Sequence, residues 1–218
     1  MELSDLKNLL NGISLGAGTD TWKSKLSGDG QFYVRDLRAL IDSRLTESMQ
    51  NPMKWCSLVP LKCGAFVWRA CVNRIPTVLE LNKRGLNIQD SRCQMCLTEE
   101  DDTDHVLLNC AVTAEALDWI LKWCEITDQK FNSVHNFVSY AATWGNCPKK
   151  KKIFLAVCYG FLWCAWQVRN NRRFNNLLST SANLVDNVFS LVFGWMKHMG
   201  RFGNCEWEYW VCSPFNIL

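Results

Sequence analysis

Leu61, Ala65, Trp68 and Val72 recur at intervals of three and four residues until Asn73, the period of one face of a helix. Pro60 stands just ahead, where a first helical turn tolerates proline. The same period runs through Asp36, Leu37, Leu40, Ile41 and Leu45, closed by Asn51-Pro52, and again through Ala116, Leu117, Ile120, Leu121 and Cys124, with Thr113 as the expected cap. Between these, Ile75-Pro76-Thr77 predicts a restart, with Thr77 as N-cap and Gly85 as the stop of a short helix over 78–84. Thr127 to Ser133 reads as a connection and Trp144 to Pro148 as a break. After Lys149-Lys150-Lys151-Lys152 the pattern predicts a nearly all-round apolar helix through Trp166, a polar run from Arg169 to Asn176, and a helix over 182–199.

Two places read differently. Ser27-Gly28-Asp29-Gly30 before Gln31-Phe32-Tyr33-Val34 predicts a hairpin turn and a strand, and Glu206 to Val211 reads as either a strand or an irregular aromatic plug. The expected fold is therefore mainly α, with a minor N-terminal β-hairpin and a C-terminal helical part. The expected organisation is an N-terminal segment over 1–54, a central domain over 55–128 and a basic, Trp-rich helical part over 129–218.

At 218 residues and 48% hydrophobic composition, the chain can bury a sizeable core. Its longest apolar stretch, Ile153 to Trp166, lies between Lys152 and Arg169, which is short of the roughly 20 residues a membrane span needs. The start Met1-Glu2-Leu3-Ser4-Asp5 lacks the features of a secretion signal, so the expectation is an intracellular protein of nucleus or cytoplasm. Its twelve cysteines are then thiols or metal ligands rather than disulfides.

The net charge of +3 conceals a segregation: residues 91–128 carry 2 basic and 9 acidic side chains, whereas 56–90 carry 5 and 2, and 129–218 carry 10 and 3. A polyanion-binding surface would have to be built from the flanks.

One constellation carries chemistry: Cys93-x2-Cys96-x8-His105-x4-Cys110. Two cysteines three positions apart bring their thiolates together across a turn, and a later His and Cys supply the other corners of a tetrahedron. Three thiolates and a neutral imidazole suit one structural Zn²⁺ with no open position for water. A chance Cys-x2-Cys pair among twelve cysteines would not explain the full spacing; Cys124 is the alternative ligand. The metal would order a loop too polar to order itself. Glu99 to Asp104, with five carboxylates, reads as a solvated turn, and Thr103 or Asp104 as the cap of a short helix bearing His105.

The run Pro60-Leu61-Lys62-Cys63-Gly64-Ala65-Phe66-Val67-Trp68-Arg69-Ala70, then Arg74-Ile75-Pro76-Thr77, Leu81, Arg84-Gly85, the four ligands and Asp104-His105, resembles the zinc-binding domain that follows the polymerase in plant LINE-type reverse transcriptases. These motifs span residues 55–124, with weaker echoes in Asp20-Thr21-Trp22, Gly30-Gln31-Phe32 and Trp166 to Asn170. Ser24 departs from the family, which carries a second Trp there. The resemblance implies descent from a retrotransposon polyprotein, with its polymerase portion as a partner. The polymerase signature Tyr-x-Asp-Asp is absent, since Asp101-Asp102 lacks the tyrosine.

The expected function is a non-catalytic, zinc-stapled module that binds RNA or DNA with little sequence specificity. The expected contacts are Lys62, Arg69, Arg74, Lys83 and Arg84, then Lys149, Lys150, Lys151, Lys152, Arg169, Arg172 and Arg173, helped by exposed tryptophans. The alternative is a structural or protein-interaction fragment with no nucleic-acid affinity. Catalysis is disfavoured, because His105 is committed to metal, His135 and His198 sit in no motif, and Asp186, Glu206 and Glu208 are the only carboxylates after Asp128. No membrane and no small-molecule substrate are expected.

Overall fold

The computed structural model describes residues 11, 21–46, 55–200 and 206–217, with the backbone alone at 42 and 44–46. The expected stop at Asn51-Pro52 and Asp20 of the upstream motif lie outside these residues. By its internal contacts the chain divides into two units, Met1–Pro52 and Met53–Leu218.

In the first unit, a turn closes where Ser24 N–H donates to the Gly30 carbonyl at 2.7 Å and Gly30 N–H donates to Ser27 O. Gly30 has φ +75°, which a Cβ would disfavour. The expected hairpin does not form, and no strand occurs among the described residues of the chain. The Tyr33 carbonyl instead accepts from Asp36 and Leu37 N–H, which starts helix α1, Val34–Thr46, at the end of the supposed strand. Phe32 and Val34 are exposed and offer no apolar face on which a strand could rest.

The second unit is helical: α2 Leu61–Cys71, α3 Val78–Lys83, a π-helical turn His105–Asn109, α4 Ala111–Trp123, α5 Val134–Thr143, α6 Pro148–Asn175, α7 Ser181–Met199 and α8 Trp207–Cys212. Its axis is α6, a 28-residue helix against which α2, α5, α7 and the π turn all pack. The lysine run and the polar run through Asn175 are its two ends, rather than separate elements. From Ile153 to Leu162 every side chain of α6 is buried, as its all-round apolar pattern requires. Residues from 55–128 and from 129–218 thus share one core. No helix among the described residues is long and apolar enough to cross a membrane.

Thr77 caps α3 by accepting from Glu80 N–H, as expected, and Ser133 and Thr180 cap α5 and α7 in the same way. Thr113 does not cap α4: that helix begins two residues earlier, and the buried Thr113 hydroxyl donates to the Cys110 carbonyl. The C-terminal aromatic run forms α8, whose fully buried Trp210 packs edge-on to Trp123 of α4 and donates from Nε1 to Phe189 O of α7 at 3.1 Å.

The stripe that predicted α2 is not its buried face. Cys63, Phe66, Val67 and Ala70 are buried, whereas Leu61 and Trp68 of the stripe are 78% and 43% exposed. Phe66 meets Trp163 and Trp166 of α6 at ring distances of 5.4 and 5.8 Å. The helix is apolar on two sides, so the period identifies the element without deciding which side turns inward.

Candidate metal centre

The polar loop from Asp90 to Asp104 folds back on itself. Cys93 N–H donates to Glu99 O at 2.7 Å, Asp101 N–H donates to Ser91 O at 2.8 Å, and Arg92 and Glu100 form one isolated antiparallel bridge. At the tip Leu97 takes φ +63° while its N–H donates to Cys93 O, a tight turn that brings Cys96 back over Cys93. The chain then enters the π turn, where Asp102 accepts from His105 N–H at 2.9 Å, and exits into Cys110. Asp102 therefore holds this N–H, rather than Thr103 or Asp104; Asp104 instead accepts from Val134 N–H at the start of α5.

These turns bring Cys93, Cys96, His105 and Cys110 together, with their donor atoms all within 4.8 Å of one another. Cys93 and Cys110 Sγ are 3.9 Å apart, and Cys96 Sγ is 3.3 Å from His105 Nε2. In a tetrahedron with Zn–S bonds of about 2.3 Å, sulfurs stand roughly 3.8 Å apart, and a sulfur and an imidazole nitrogen roughly 3.6 Å. The donor set and its spacing fit Zn²⁺. All four corners are protein atoms, so the metal would hold the loop rather than activate water. Cys124 is not one of them: it is fully buried in the core at the end of α4.

Without a metal the cluster shares its protons unevenly. The hydrogen bond from Cys110 pulls Cys93 down to about 3, and the same bond, reinforced by burial, pushes Cys110 up. Burial works to raise Cys96, yet hydrogen bonds from Thr98 and from the Glu99 and Thr98 backbone together lower it. His105 is raised to about 9, chiefly by its hydrogen bond to Cys93.

The loop is fastened from behind by α6. Arg169 donates from Nε to Asp101 Oδ2 at 2.9 Å and from Nη2 to Asp101 Oδ1 at 2.6 Å. Arg173 approaches the same carboxylate at 3.7 Å, and Arg172 Nε donates to the Gln94 carbonyl, inside the Cys-x2-Cys turn, at 3.0 Å. Asp101 also accepts from Val78 N–H at the start of α3, so one carboxylate joins the loop, α3 and α6. The run Glu99 to Asp104 is thus only partly a solvated turn, since Asp101 is fully buried.

Residues 32–116 match the family described as zinc-binding in reverse transcriptase. All four candidate ligands lie inside this match. No curated protein and no solved structure matches the chain.

The basic residues expected to bind nucleic acid separate into two sets. Arg169 is 2% exposed, with its guanidinium spent on Asp101, so it is a structural residue. Arg172 and Arg173 are half-buried and turned towards the cysteine-rich loop. Lys62, Arg69, Arg74, Lys83 and Arg84 are exposed, as are Lys149, Lys150 and Lys152, with Lys151 half-buried. Lys83 pairs with Glu80 at 2.7 Å. The sequence reading missed Asp101, and nothing within its own segment signals a partner 68 residues away.

Proposed function

We propose that this chain is a non-catalytic, zinc-stapled nucleic-acid-binding module derived from a LINE-type retrotransposon polyprotein of plant origin. The observation that carries the reading is the Cys93, Cys96, His105 and Cys110 tetrad, at zinc-like distances inside a segment that matches a reverse-transcriptase zinc-binding family. The ion is Zn²⁺, and its work is to order the loop between α3 and α4. The binding residues are the exposed cations Lys62, Arg69, Arg74, Lys83 and Arg84, with Lys149 to Lys152 at the start of α6. Phosphate neutralisation by such residues gives affinity that falls with salt and depends little on sequence.

The test is titration of the zinc-loaded chain against a structured RNA, a single strand and a duplex DNA at several salt concentrations. Binding that weakens steeply with salt is the expected result. No binding to any of the three at low salt, with zinc present, would leave a structural or protein-interaction fragment as the function.

A further inference from the structure

Resting on that reading, we propose that the outward face of α2, with Trp55 before it and Arg74 after it, is a stacking platform for a single-stranded polynucleotide. Residues 53–79 hold four basic side chains and no carboxylate. On this stretch Trp55 and Trp68 are 61% and 43% exposed. Lys62, Arg69 and Arg74 of the same stretch are exposed, and among the described residues none forms an ion pair. The basic side chains at the zinc loop and on α3 differ, since Arg169 and Lys83 already face carboxylates.

Trp55 is held in place. Trp55 lies across Gly64, close enough that a Cβ there would stand 2.8 Å from its Cζ3, so one side of the ring rests on the helix while most of the side chain meets solvent. Leu61 at 78% exposure extends the apolar surface. Behind it Lys62 Nζ sits 5.6 Å from the centre of the Trp163 ring. At the far end the chain turns through Asn73 at φ +52°, and Arg69 reaches the Arg74 carbonyl with one nitrogen, which holds the Arg69 guanidinium at the last turn.

Exposed aromatic rings interleaved with unpaired cations are what unpaired bases need: ring faces to stack on and positive charge along the backbone. A duplex hides its base faces and would meet only the cations. The helix has two apolar sides because one is core and the other is the binding face.

The experiment measures the affinity of the zinc-loaded full chain for labelled oligo(U) and for an RNA hairpin duplex. It compares wild type with Trp68→Ala, Trp55→Ala and a Trp119→Ala control on α4, all checked for unchanged thermal unfolding. Oligo(U) affinity is expected to fall about five- to a hundredfold in Trp68→Ala, the range for loss of a base-stacking ring. Duplex affinity and the control should be unchanged. If oligo(U) binds the wild type but binds Trp68→Ala and Trp55→Ala equally well, the platform is wrong and the nucleic-acid module stands. If neither probe binds the wild type, both fail together.

Discussion

Asp101 of the cysteine-rich loop and Arg169 of α6 form a doubly hydrogen-bonded ion pair whose side chains are 0% and 2% exposed. Breaking a buried pair from one side strands a charge without water, at a cost of about 3–5 kcal/mol. Arg169→Met should therefore lower the urea midpoint and weaken zinc retention, because the buried carboxylate loses both guanidinium hydrogen bonds and keeps only Val78 N–H and the more distant Arg173. The double variant Asp101→Asn with Arg169→Met should recover part of that loss. Equal stability of the single variant and wild type would show that the pair does not fasten the loop.

This pair also marks where reading the sequence stops. The clustering of the four candidate ligands was legible because they lie within 18 residues, and local spacing alone brings four donors together. Most helices were legible from their period, and Thr77 as a cap from its type and place. What escaped was tertiary. Arg169 in a run of Asn and Arg looks like a solvated end, and only the packing of α6 behind the loop turns it inward. The same holds for α2, where two apolar sides competed for the core and α6 took the one bearing Phe66. The hairpin failed for the opposite reason: its strand residues had β propensity but, among the described residues, no strand partner, and Phe32 and Val34 are exposed.

Zinc affinity should rise with pH across the neutral range. A folded pKa of about 9 lies above the 6.5 of a free histidine, so in the metal-free chain His105 carries its proton at neutral pH. The stabilising contribution of that imidazolium is complete below pH 6.5 and is lost as pH rises through about 9. Zinc must displace this proton and the one held on Cys110, so binding releases protons below pH 9. Chelator competition between pH 6 and pH 8.5 should show the dissociation constant falling by about tenfold or more per unit. A flat profile would mean that the four residues do not bind metal together.

Gly160 of α6 faces Val192 of α7, and a Cβ on it would lie 2.4 Å from Val192 Cγ2. Val192 is fully buried and, being β-branched in a helix, has one strongly preferred rotamer, so it cannot swing aside. Gly160→Ala gains up to about 1 kcal/mol in helix propensity but forces a methyl into a packed contact that costs about 1–3 kcal/mol. Net destabilisation is expected, and Val192→Ala in the same chain should relieve it. A double-mutant cycle on urea unfolding reads the coupling directly; additive effects would show that the helices are not pinned by this contact.

Arg172 separates the two tasks of the basic residues. Its Nε holds the Gln94 carbonyl at 3.0 Å, and its Nη1 donates to Asn176 Oδ1 at 2.6 Å, so the side chain spans from the end of α6 to the turn between Cys93 and Cys96. Arg172→Gln should accelerate zinc release to a chelator, because the turn loses its brace while all four ligands remain. The same substitution should leave the salt dependence of oligo(U) binding by the zinc-loaded chain unchanged, since a residue engaged with Gln94 and Asn176 does not neutralise a phosphate. A reduced salt slope at unaltered zinc release would return Arg172 to the binding surface and place the C-terminal end of α6 on the path of the nucleic acid.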